Sequence, residues 1–301
     1  MATLIGRIYY GYRYINEELS GIETFNIILS NVISQLYSFS LKDPRTQDFF
    51  LIGSPWGVLG IIFFYLYFLH ELGPNIMAKR KPFNLDRIIQ LYNFLQIVIC
   101  SCVLYKALSL AWLVDYRFYC EPVDFSYNPR AIEIARTVWM YFLLKILDLI
   151  DTVFFVLRKK YNQISFLHVY HHAGMVFGSW ATTKFLAGGH ISFLGTINCF
   201  VHVVMYSHYL ATSLRISKPW WKKHVTQLQI TQFCLILIQF ILLAYAEECP
   251  FPKWTAAVLI PQNLFMIVLF GDFYYKTYIK KRKTNKNGVA LDVSNGKMKS
   301  Q

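Results

Sequence analysis

The sequence predicts an all-α integral membrane protein of seven transmembrane helices. Composition is the first observation: 55% of the 301 residues are hydrophobic and 16% charged, where a soluble domain carries about 25% charged. The second is seven stretches long enough to cross a bilayer, which takes roughly 20 mostly apolar residues. The third is a regular alternation of basic clusters with segments poor in Lys and Arg.

The stretches run over about 57–77, 85–114, 131–157, 163–183, 190–213, 226–246 and 254–275. The first contains IIFFYLYFL and the sixth FCLILIQFILLAYA. A soluble α-protein would need a polar face on each helix, and these runs have none to offer. They are too long, and not alternating, for barrel strands. Basic clusters stand at Lys79–Lys81, Arg158–Lys160, Arg215–Lys223 and Lys280–Lys283. Segments 115–130, 184–190 and 247–253 lie between them. Because Lys- and Arg-rich loops stay cytosolic, the expected topology puts the N-terminus in the lumen and the C-terminus in the cytosol. Residues 1–56 read as a luminal or interfacial segment, 57–277 as the helical domain, and 278–301 as a basic, disordered cytosolic tail. No removable signal peptide is expected.

The net charge of +13 then belongs mostly to the cytosolic face, where it suits anionic lipid or a phosphorylated substrate. Nucleic-acid binding is the weaker alternative, since no soluble basic domain exists to perform it. The six cysteines form no zinc spacing. Cys120 and Cys249 both fall in luminal loops, where disulfides persist, and are expected to pair.

Ionisable groups inside a bilayer are costly and mark function by default. The third stretch holds Lys145, Asp148, Asp151 and Thr152. Lys145 and Asp148 are three apart and share a face; the bland alternative is an ion pair that only locks packing. The fourth holds His168, His171 and His172 at i, i+3, i+4, also one face, open to metal ligation or to acid–base and nucleophilic work. The fifth carries a stripe of Asn198, His202, Tyr206 and Tyr209. The sixth opens with Thr226, Gln229 and Gln232, amides that elsewhere serve as interhelical glue. His208 points away from the stripe toward the interface. His70, His190 and His224 near helix ends read as incidental. At about 1.5 Å per residue, every polar set lies in the cytosolic half, so one cavity opening to the cytosol is expected. Such a cavity fits an enzyme acting on lipid or a non-enzymatic lipid transporter. A transporter calls for related halves and a midplane site, and neither is visible. A di-iron desaturase or hydroxylase is the rival enzyme, but it needs several histidine boxes where one is present.

His168-x-x-His171-His172 resembles the histidine box of the very-long-chain fatty acid elongases, the ELO family. Lys145-x-x-Asp148-x-x-Asp151-Thr152 is similar to that family's Lys-x-x-Glu-x-x-Asp-Thr signature. Asn198-x-x-x-His202-x-x-Met205-Tyr206 and Thr226-x-x-Gln229-x-x-Gln232 resemble its next two motifs, in order. The likeness spans roughly 40–285, with Asp148 replacing the usual Glu and His208 a common Tyr. It implies six of the seven helices enclosing an acyl-chain tunnel. It implies condensation of acyl-CoA with malonyl-CoA to 3-oxoacyl-CoA, CO2 and CoA, the first step of endoplasmic reticulum elongation. No cofactor or metal is implied beyond the two CoA substrates. His171 would accept the acyl group and His202 assist. His168 and His172 would orient the box or bind the enolate oxygen, Asp151 would fix a tautomer, and Asn198 would donate to an oxyanion. Lys145, with Asp148 and Tyr206, would hold the charged substrate groups. Gln229 and Gln232 would line the mouth, and Lys222 and Lys223 would meet CoA phosphates. Leu149 tilts the expectation toward saturated or monounsaturated chains. Lys297-x-Lys299-x-x resembles a dilysine retrieval signal to the endoplasmic reticulum membrane. A reductase and a dehydratase are the implied partners, and a homodimer is left open.

Overall fold

A computed structural model describes residues 42–216 and 221–280. The expectations for residues 1–41, for the retrieval-like Lys297 and Lys299, and for a disordered tail lie outside the described residues. Within them the chain is helical, with no strand among the described residues. Helix α1 (Pro55–Tyr67) passes through a π-helical turn (Phe68–Leu72) into α2 (Gly73–Ala78). Next come α3 (Asp86–Ala107), α4 (Pro129–Leu147), α5 (Ile150–Leu157) and α6 (Phe166–Phe185). The last three are α7 (Ser192–Ser213), α8 (Trp221–Tyr245) and α9 (Trp254–Tyr274).

Local sequence explains the starts. Ser54 caps α1 and Asn128 caps α4, each followed by Pro at the first helical position, where its missing N–H is no loss. Ser165 caps α6 by accepting the His168 N–H at 3.2 Å.

Five helical segments are long and apolar enough to cross a membrane: Pro55–Ala78, Asp86–Trp112, Gly189–Ser213, Trp221–Tyr245 and Trp254–Lys280. The two other stretches are helical but too polar to qualify. One carries Glu133, Arg136, Lys145, Asp148 and Asp151; the other carries the three clustered histidines. The first is also not one helix, since a turn at Asp148–Leu149 separates α4 from α5.

The helices pack as a ring. In order, α6, α4, α3, α7, α8 and α9 each contact the next. The Tyr170 hydroxyl donates to Gln262 Oε1 at 2.7 Å, joining α9 back to α6. Helix α1 packs on α6.

One end of the ring is cross-linked. Cys120 and Cys249 are disulfide-bonded, with Cα atoms 5.8 Å apart, tying the α3–α4 loop to the α8–α9 loop. The segment 43–53, expected at most to lie on the membrane surface, is sewn into the same end. Asp43 and Arg45 form a buried ion pair at 2.6 Å. Arg45 also donates to the carbonyl oxygens of Asp124, Ala131 and Ala187. Lys184 Nζ donates to the Ile52 and Gly53 carbonyls at 2.9 and 2.8 Å. Such charge-assisted bonds are roughly twice as strong as neutral ones. In the same loop Arg130 holds the Asp115 carboxyl below its usual range through side-chain hydrogen bonding.

Candidate active site

The turn between α4 and α5 places three side chains of the Lys145 motif in one buried network. Lys145 and Asp148, each 2% exposed, pair at 2.7 Å. Lys145 Nζ also donates to Asn198 Oδ1 at 2.8 Å, an oxygen that accepts from the Tyr141 hydroxyl too. The Tyr206 hydroxyl donates to Asp151 Oδ2 at 2.7 Å and lies 3.3 Å from Asp148 Oδ1. Its phenol therefore bridges two carboxylates. A buried ion pair is no stabiliser by itself, but hydrogen bonds satisfy most of the remaining polar atoms here, as a buried network requires.

The histidine box occupies the first turns of α6, beneath the Ser165 cap. His168 Nε2 lies 2.8 Å from Thr152 Oγ1, which lies 3.0 Å from the Tyr65 hydroxyl. The His168 and His172 ring centroids are 4.2 Å apart, and those of His171 and His172 are 5.6 Å apart. His171 turns toward Phe233 of α8 and Phe270 of α9.

His202 joins the two groups. Its Nδ1 is 3.6 Å from Asp148 Oδ2, beyond a good hydrogen bond, and its ring stands edge-on to Tyr206, centroids 5.6 Å apart, whose hydroxyl holds Asp151 beside the Thr152 that meets His168. Asn198 Nδ2 reaches Gln232 Oε1 at 3.5 Å. Histidine, lysine, carboxylate and amide residues from α4 to α8 thus meet in one place. Among the described residues no three His, Cys, Asp or Glu side chains form a metal-ligand set.

Other expected residues stand apart. Gln229 contacts Met205 Sδ at 3.5 Å, beside the cluster. Lys223 lies over the Tyr274 ring, and the Lys222 carbonyl accepts from Tyr278. No described hydrogen bond or ion pair links either lysine with His168, His171, His172 or His202. His208, expected at the interface, is buried within the protein at 7% exposure. His190, near a helix end as expected, is fully buried.

Three supporting residues escaped the motifs. Gln96 of α3 donates to Asp148 Oδ1 at 2.9 Å and to the Tyr92 hydroxyl at 2.7 Å. Tyr92 in turn donates to the Leu147 carbonyl at the α4–α5 turn. Gln96, an amide within an apolar run, carried the usual signal of an intramembrane polar residue. Tyr65 sits among so many aromatics that nothing distinguished it.

The family model that matches the chain is ELO, the GNS1/SUR4 family, over residues 50–286. Drosophila melanogaster very long chain fatty acid elongase 7 is 37% identical over 263 residues, covering 86% of this chain and 80% of that protein. Mouse very long chain fatty acid elongase 1 is 39% identical over 258 residues, 83% and 92%. Human very long chain fatty acid elongase 4 is 38% identical over 270 residues, 88% and 85%. With the matched region containing all four motifs and every residue of the buried cluster, the chain belongs to the GNS1/SUR4 (ELO) family.

Proposed function

We propose that this protein is a 3-oxoacyl-CoA synthase, condensing a long-chain acyl-CoA with malonyl-CoA in fatty acid elongation. The observation that supports it best is the histidine box, anchored by His168 on Thr152, standing next to the Lys145–Asp148–Asn198 network that His202 adjoins. Condensation needs a nucleophile, a proton carrier and a donor for an oxyanion, and the cluster offers each.

In the first stage His171 attacks the thioester carbonyl, forming an acyl-imidazole as the CoA thiolate leaves. His202 takes the proton that the attacking His171 gives up and hands one to that thiolate. Asn198 Nδ2 and the positive N-terminal end of α6 suit the negative charge that develops on oxygen. In the second stage malonyl-CoA loses CO2, and the resulting enolate carbon attacks the acyl carbonyl. The His171 imidazolate departs and takes a proton from solvent, leaving 3-oxoacyl-CoA and neutral imidazole. Lys145 favours the enolate's charge, while His168 and His172 orient the box. Asp151 and Asp148 hold Tyr206 and Lys145 in place. Lys222 and Lys223, with Gln229 and Gln232 nearer the cluster, mark the CoA approach.

The same reading makes α4–α5 and α6 the third and fourth of seven spans, their polar residues turned to one another and away from lipid. It places the N-terminus in the lumen of the endoplasmic reticulum and passes the product to a reductase and then a dehydratase.

The test is incubation of membranes with malonyl-CoA labelled in its retained carbons, a panel of acyl-CoAs, and no NADPH. Labelled 3-oxoacyl product is expected, and His171→Ala should lower it by 10³-fold or more, on the order of losses when a nucleophile is removed. Full activity of an accumulated His171→Ala protein would end the histidine mechanism.

A further inference from the structure

A second polar group lies at the disulfide end, far from the residues just described. His190 and Gln239 are both completely buried. The His190 N–H donates to the Glu121 carbonyl at 2.8 Å. Gln239 Nε2 donates to the His190 carbonyl at 3.0 Å. These bonds fix the two residues side by side. Both imidazole nitrogens and Gln239 Oε1 remain without a hydrogen-bond partner among the described residues. The imidazole stands edge-on to Phe240 and tilted against Phe251, centroids 5.3 and 5.5 Å away. Around it is an apolar cluster that includes Leu186, Ile236 and Leu243. Three uncompensated polar atoms in such surroundings are costly. Buried polar groups in native proteins nearly always have a partner, and each exception calls for one.

The place of this pair in the fold indicates what that partner is. His190 enters α7 directly, and His202 follows twelve residues later, a rise of about 18 Å. On α8 the buried residues Gln232, Phe233, Ile236, Gln239, Phe240 and Leu243 form one face. Gln232 of that face accepts from Asn198 in the catalytic cluster. An apolar face therefore leads from the cluster and ends at His190 and Gln239.

We propose that His190 and Gln239 form a hydroxyl-binding site for the far terminus of the acyl chain, fitted to an ω-hydroxyacyl thioester. The proposal rests on the acyl-CoA reading above. A neutral imidazole offers one N–H and one lone pair, and Gln239 Oε1 offers further lone pairs. A hydroxyl both donates and accepts, so it matches that set. A methyl terminus does neither, and a carboxylate would bring a charge and only lone pairs against Gln239 Oε1. Water shares the hydroxyl's chemistry, and the test separates the two.

Condensation is measured in membranes bearing the full chain, with matched pairs of acyl-CoA and ω-hydroxyacyl-CoA over a series of lengths. The wild type should show about a tenfold gain in kcat/KM from the hydroxyl, confined to the length that reaches His190 and smaller two carbons either side. His190→Leu and Gln239→Leu should erase that gain and leave plain acyl-CoA within about twofold, the change expected when no hydrogen bond to the chain is lost. No gain at any length, with plain acyl-CoA elongated, means the pair holds water alone and overturns the site. A gain that survives both variants overturns it as well. Should neither variant accumulate, the length dependence of the wild type decides. If no acyl-CoA is condensed at all, the synthase reading fails first and the site falls with it.

Discussion

At Thr152 a single hydroxyl stands between Tyr65 and His168, at 3.0 and 2.8 Å. If Tyr65 donates to Thr152 and Thr152 to His168 Nε2, the imidazole proton resides on Nδ1. Which nitrogen carries the proton is set by the bond the other makes, so Tyr65 positions the box from outside every motif. Tyr65→Phe should cost about 1 kcal/mol of stability, the net worth of one hydrogen bond. It should also lower kcat severalfold with KM unchanged; an unaltered kcat and pH profile would reduce Tyr65 to packing. The histidines themselves were legible because imidazole is conspicuous in an apolar run. The chain of hydroxyls that orients them was not, since Tyr65 looks like any other aromatic among IIFFYLYFL. Arg45 was hidden for the opposite reason: outside the apolar stretches a charged residue attracts no notice, yet it is 8% exposed here.

Element positions were readable from apolar length, and their interruptions were not. The stretch 131–157 reads as one continuous span, but the chain turns at Asp148–Leu149, where Asp148 accepts from Lys145 and Gln96. Irregular backbone at membrane depth is tolerated only inside protein; the buried network there supplies such a place. The link between α6 and α7 depends on backbone conformation in the same way. Gly188 and Gly189 have φ of +138° and +61°, and a Cβ on Gly189 would meet Glu121 O and Pro122 backbone atoms at 2.9 Å. Gly189→Ala should therefore destabilise the protein by roughly 1–3 kcal/mol, and shift the His190 N–H away from Glu121. Amide hydrogen exchange at His190 checks this: protection equal to wild type would contradict it.

Across the whole molecule the two ends of the ring differ in kind. One holds the histidines and the buried Lys145 network. The other is fastened by the Cys120–Cys249 bond, the Asp43–Arg45 pair and Lys184. Cys249→Ser opens a loop spanning 129 residues, worth about 4–5 kcal/mol on chain-entropy grounds. Its thermal midpoint in detergent should fall by several degrees, with condensation at low temperature retained because the histidines lie at the opposite end. Equal midpoints for the two proteins would show that the hydrogen bonds of the segment 43–53 suffice.

That fastened end also dictates an order of events during synthesis. Arg45 leaves the ribosome well before Asp124, Ala131 and Ala187, whose carbonyls it needs. Cys120 precedes Cys249 by 129 residues, a wait of roughly 6–26 s at about 5–20 residues per second. Through that interval the Cys120 thiol stands open to oxidants, whereas the last of the Arg45 partners, Ala187, is made about halfway through it. The last wall, α9, arrives after both, with the Tyr170–Gln262 contact closing the ring. A nascent chain stalled before Cys249 would therefore carry all its histidines and yet enclose nothing.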